Sequence, residues 1–167
     1  MQRAGAAFCV IVAVVAAGFA FRGSLFLPFK DQVIAVSADD QEMNAAIAKA
    51  RSSLPKFWAH LSKPLADEDY FSLKLQLTDG SHSEHFWCDN IVGNENSATC
   101  IIGNDPETVK TVKLGDRVVV DRDKISDWMI RKHSKIFGGA TIRPLLPKMD
   151  KSEAAALRAT LSDEELH

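Results

Sequence analysis

The chain has 167 residues and three cysteines, with 20 basic against 22 acidic side chains for a formal net charge of -2. That length supports one domain with a single core and leaves no room for a second once an export segment is set aside. The near-balanced charge argues against a nucleic-acid partner, because a polyphosphate binder needs a basic excess.

Ala4 to Phe21 is an apolar run without a charge, preceded by Arg3. The short basic start, the Ala- and Val-rich centre and the small residues Gly18 and Ala20 have the order of a secretory signal cleaved after Ala20. Left uncleaved, the run would reach about 27 Å as a helix, close to a hydrocarbon core of roughly 30 Å. Residues 1–21 are therefore expected to be a signal peptide or a signal-anchor helix, and 22–38 a lead-in. The main domain is expected over 39–149 and a helical tail over 150–167. Either reading puts the chain in the periplasm, free or tethered, since the positive flank stays inside.

Asp39 and Glu42 have the spacing of a capping box, and Met43, Ala46, Ile47, Ala50 and Leu54 recur at helical intervals, which predicts a helix from about Asp40 to Ser53. Pro55 then suits the first turn of a second helix capped by Ser53 and carrying Phe57, Trp58 and Leu61. Phe71, Leu73, Leu75 and Leu77 alternate with polar residues, the period of a strand with one buried face, and Asp79-Gly80 turns the chain. Glu84 to Val92 and Ser97 to Ile102 read as the next strands, and Arg117 to Asp121 as a short fourth. Ser126 to Met129 is expected to be a helical turn or irregular segment. Gly138-Gly139 marks a tight backbone feature, and Pro144 and Pro147 interrupt regular structure beyond it. Asp150 with Glu153 caps the tail, which carries little apolar surface. The fold class expected is α+β, with N-terminal helices covering a bent antiparallel sheet, or a partly closed small barrel, of four to five strands.

Glu84-His85-Phe86-Trp87, Leu114-Gly115-Asp116, Ile125 to Met129 and Gly138 to Arg143 occur in this order. Together they resemble the YegJ-like family of bacterial proteins, domain of unknown function family 2314, from about Gln41 to Met149. The resemblance implies a bacterial, commonly exported, mixed α and β domain, and it carries over no catalytic residue.

With Cys9 in the export segment, Cys88 and Cys100 remain as an even pair in an oxidising compartment, which suggests a disulfide. The two lie equally far from Asn94, so a hairpin turning there would place them opposite each other. On a strand, His82, Glu84 and Cys88 face one side and His85 and Asp89 the other, so no metal site is expected, and no cofactor either. A hydrolase would need at least two of Glu84, His85, Asp121 and Asp127 to meet in a cleft.

The stretch from Trp128 to Lys148 contains Arg131, Lys132, His133, Lys135, Arg143 and Lys148 and no carboxylate. The candidate ligand-binding residues are Lys132, Lys135, Gly138, Gly139, Thr141 and Arg143, with the diglycine amides as an anion nest. The function expected is a non-catalytic envelope module binding a protein or an anionic ligand, with no nucleic acid partner. The alternatives are a small envelope hydrolase and an immunity-type partner that neutralises a toxic enzyme. The basic stretch also fits a plain solvated face balanced by the acidic clusters at 39–42, 67–69 and 163–165.

Overall fold

A computed structural model describes Ile34, Val36, Ser37 and residues 39–80 and 82–166. The expected export segment at 1–21, and most of the lead-in after it, lie outside the described residues. Among the described residues no helix is long and apolar enough to cross a membrane.

Helix α1 spans Gln41–Ser62, capped by Asp40, whose side chain accepts from the Met43 N–H. It is one helix with Pro55 inside, which corrects the expectation of two pieces. A proline in a helix interior costs about 3 kcal/mol. Leu54, Phe57 and Trp58 around it are all buried, and burying each large apolar side chain returns roughly 1.5–3 kcal/mol, so packing keeps the helix continuous. Ser53 does not cap; its hydroxyl turns back to the Lys49 and Ala50 carbonyls.

Among the described residues six strands follow: β1 (Glu68–Asp79), β2 (His82–Asn94), β3 (Ser97–Ile102), β4 (Arg117–Val119), β5 (Ile125–Lys132) and β6 (Lys135–Gly138). They form one antiparallel sheet in the order β4-β3-β2-β1-β5-β6. The α+β class holds, while the strand count exceeds the expected four to five and the sheet is open at both ends of that order. The additional strands come from Ile125–Gly138, where a helical turn was expected. Ile125 to Ile130 are all buried, so β5 is covered on both faces and lacks the alternation that marks a half-exposed strand.

Alternate residues of the sheet feed two apolar clusters. Leu73, Leu75, Phe86, Cys88, Trp128 and Ile130 pack with Ala50, Leu54, Phe57 and Trp58 of α1. Trp87 and Met129 point the other way, toward Ile142, Leu145 and Leu146 of a 3-10 helix (Ala140–Lys148) and Leu157 of helix α2 (Lys151–Thr160). The tail is better anchored than its composition suggested: Leu157, Leu161 and Leu166 are 2%, 5% and 5% exposed.

The β2–β3 hairpin turns at Glu95–Asn96, not at Asn94, a register that would set Cys88 opposite Gly103 rather than Cys100. A register shift between Asp89 and Val92, with Asn90 at a φ of 49°, moves the partner of Cys88 to Ile102, on the same face of β3 as Cys100. They form a disulfide with Cα atoms 5.6 Å apart.

Candidate functional site

Lys74 lies on the polar side of β1, paired with Trp87 of β2 and Asp127 of β5. Because the 3-10 helix covers that side, Lys74 and Asp127 are both fully buried. A register shift opposite Lys74 and Leu75 leaves Ser126 as an extra residue of β5, a bulge of the kind that re-aims side chains. Lys74 Nζ donates to Thr141 Oγ1 at 3.1 Å, and Thr141 donates to Asp127 Oδ2 at 2.7 Å, so the hydroxyl stands between the two charges. The ammonium also lies 5.2 Å from the centre of the Trp87 ring, a favourable contact for a desolvated cation. Burial pulls the Lys74 pKa down to about 8 against the opposing pull of Asp127. It also raises the Asp127 pKa, although Lys74, Thr141 and the backbone amides resist that shift.

The diglycine was expected to form an anion nest. Gly138 and Gly139 both have left-handed backbones, with φ of 81° and 60°. The amides that follow them, of Ala140 and Thr141, donate to the Asp127 carboxylate at 3.2 and 2.7 Å, and the Trp128 amide adds a third bond at 2.8 Å. The anion bound there is the chain's own.

Glu84 is held in the same manner. Its carboxylate accepts from the amides of Glu107, Thr108 and Val109 and from the Thr108 hydroxyl, all at 2.8–2.9 Å. Burial would raise its pKa, but these donors prevail and hold it below the usual carboxylate range. His85 Nδ1 lies 2.7 Å from Ser126 Oγ. Burial first, then Lys74 and Arg51, push the His85 pKa down to about 3, so the ring is neutral. Asp121 accepts from the Asp123 amide at a turn. No hydrogen bond joins any two of Glu84, His85, Asp121 and Asp127, so the convergence a hydrolase needs is missing from this arrangement. Among the described residues no group of three or more His, Cys, Asp or Glu side chains could hold a metal ion.

The cations of the basic stretch are each engaged, and the acidic clusters supply most of the partners. Arg131 forms a two-point pair with Asp69, while Lys132 and His133 both reach Asp67. Lys148 pairs with Asp40, and Lys135 donates to the Ala159 carbonyl. Arg143 donates to Asp163 and to the Ser162 carbonyl. Of the six candidate residues, Thr141 donates to Asp127, Gly138 and Gly139 shape the turn before it with the Gly139 amide on the Trp128 carbonyl, and Lys132, Lys135 and Arg143 each contact a different part of the chain.

A cleft of about 130 Å³ opens between α1, the β5–β6 ribbon and the segment after α2. Asp127 and Trp128 line it together with Lys49, Lys56 and Arg143, and Asp163, Glu165 and Leu166 line its other side. Sequence reasoning missed Lys49, Lys56 and Lys74. The first two are ordinary exposed-face residues by helical period, and Lys74 sits where strand alternation points to solvent; only the cover supplied by 140–166 distinguishes them.

Residues 40–161, more than half of the chain, match the family model described as an uncharacterized protein conserved in bacteria, DUF2314. The chain belongs to the DUF2314 family. This DUF2314 chain is similar to the uncharacterized protein YegJ of Escherichia coli K12, with 37% identity over 136 residues, covering 81% of this chain and 88% of that protein. It is also similar to a putative ankyrin repeat protein, NMB1133/NMB1171, of Neisseria meningitidis serogroup B, with 29% identity over 126 residues. That match covers 71% of this chain but spans only 50% of the relative. No solved structure matches the DUF2314 chain significantly. The matched span contains all six strands, Asp127 with its nest, and the 3-10 helix.

Proposed function

We propose that this protein is a non-catalytic binding module of the bacterial envelope, and that it recognises a carboxylate-bearing protein through the cleft centred on Arg143. The observation that carries the reading is the way the cleft's cations are occupied. Arg143 and Lys56 hold Asp163 and Glu165 at 3.2 and 3.0 Å, and those two carboxylates are 96% and 76% exposed. Exposed pairs of this kind contribute about 0–1 kcal/mol, so a partner's carboxylates can take their place at little cost. Lys49 lines the same cleft, and the buried Trp128 gives it an apolar wall.

The acid-base groups support the non-catalytic half of the reading. Glu84 and Asp127 are saturated by the chain's own donors, and His85 is buried and neutral. The envelope half rests on the apolar run Ala4 to Phe21 behind Arg3, and on the Cys88–Cys100 disulfide, a cross-link that persists in oxidising compartments. Capture of envelope proteins on the full chain, followed by mass spectrometry, tests it. A specific partner should be retained at low salt and lost both at raised salt and with Arg143→Ala. A partner retained equally by the variant would remove the cleft from the account.

A further inference from the structure

We infer that the segment Ser162–Leu166 is a displaceable internal ligand of the cleft, and that the partner enters by presenting the same chemistry, a short acidic stretch ending in a leucine-sized anchor. This rests on the binding-module reading and specifies what the cleft accepts.

The start of the segment is fixed. Leu161 bridges to Ile136 of β6, and the Ser162 amide donates to the Ile136 carbonyl at 2.8 Å, which covers the outer edge of that strand. Beyond it, side chains that line the cleft grip the segment. Arg143 takes the Ser162 carbonyl and Asp163, Lys56 takes Glu165, and Leu166 inserts into the apolar cluster that contains Ala50, Phe57, Trp58 and Trp128. Two basic residues on separate elements, spaced to meet carboxylates two residues apart, with an apolar socket directly after them, form a pattern that reads a peptide. The charges are complementary and the ion pairs are solvent-exposed, so salt and competing carboxylates weaken them readily. The anchor contributes one side chain. A closed segment lowers the apparent affinity for an incoming peptide by the fraction of molecules in which it is open.

The test uses a fluorescently labelled peptide reproducing Ser162–Leu166 and the full chain in three forms: unaltered, D163N/E165Q, and D163N/E165Q/L166A. Near-ultraviolet circular dichroism checks that each remains folded; the form that keeps Leu166 guards against loss of packing. Both altered forms should bind the peptide at least roughly tenfold more tightly than the unaltered chain. Adding Arg143→Ala to them, or raising the salt, should abolish binding. Folded forms that bind the peptide no better than the unaltered chain, or no better than a scrambled peptide, would overturn the inference. An Arg143-dependent envelope partner captured alongside that result would leave the cleft as a binding site whose ligand is not a peptide of this kind. Absence of both would end the two readings together.

Discussion

Ser126 Oγ has a single proton, and it goes to the Lys74 carbonyl at 3.2 Å. With the proton on that carbonyl, the 2.7 Å contact with His85 is made by Nδ1–H as donor and the serine as acceptor. A nucleophilic serine needs the reverse arrangement, with an unprotonated ring nitrogen receiving its proton. The pair sits at the bulge of β5, and its signature is acid sensitivity. The His85 pKa is about 3 in the folded chain against 6.5 for an ordinary histidine. Between those values the unfolded chain binds the extra proton, so His85 costs no stability above about pH 6.5, and stability falls as the pH drops toward about 3. The loss is on the order of a few kcal/mol. His85→Asn keeps an N–H near Nδ1 and cannot titrate. Urea unfolding measured from pH 7 to pH 4 should show a shallower loss of stability for this variant than for the parent. Equal slopes would mean that His85 takes up its proton in the folded state.

At the scale of elements, the β5–β6 ribbon depends on the diglycine. A Cβ on Gly138 would lie 2.3 Å from the Trp128 carbonyl oxygen and 2.7 Å from its ring, on a backbone with φ +81°. Gly138→Ala should therefore cost at least ~2 kcal/mol or prevent folding, and a thermal melt unchanged from the parent would contradict this placement of Trp128. The amide nest around Asp127 should loosen with it. The residues explain which elements could be foreseen. Strand β3 begins and ends where Ser97 and Ile102 predicted, because one of its faces is buried and turn residues bound it. Asp150 caps α2 through its side-chain oxygen as expected, whereas the cap of α1 falls on Asp40, one residue after the expected Asp39. Strand β5 was illegible, since Ser126 and Asp127 break its apolar run and their partners, Lys74 and His85 for the first and Thr141 for the second, lie more than ten positions away. The disulfide was legible from compartment and cysteine count, while its register was not, because the Asn90 bulge leaves no mark in the spacing. The diglycine was read as a nest whose own N–H groups take an external anion; the amides that meet a carboxylate are those of Ala140 and Thr141, and nothing local identified Asp127 as their partner.

Across the whole molecule, charge explains how the parts are arranged. Each acidic cluster sits against part of the basic stretch: Asp40 at Lys148, Asp67 and Asp69 at the β5–β6 turn, and Asp163 at Arg143. Two long-range devices reinforce the sheet. The disulfide closes a loop of sequence separation 12 between cysteines that are both fully buried. Replacing both with alanine should lower unfolding free energy by about 2–4 kcal/mol, measured as an earlier denaturant midpoint without reductant; an unchanged midpoint would show the cross-link to be dispensable. The other device is the segment after α2, which covers the β6 edge and one wall of the cleft, so the surface that would bind a partner is also part of how the fold closes. The central claim is that this cleft, and not cationic surface in general, carries recognition. The direct measurement is capture of envelope protein on three baits: the parent chain, Arg143→Ala, and Arg117→Ala, the last removing an equal charge from the far strand β4. The account predicts a partner held by the parent and by Arg117→Ala and lost by Arg143→Ala; equal retention by all three, or loss in both variants alike, would contradict it.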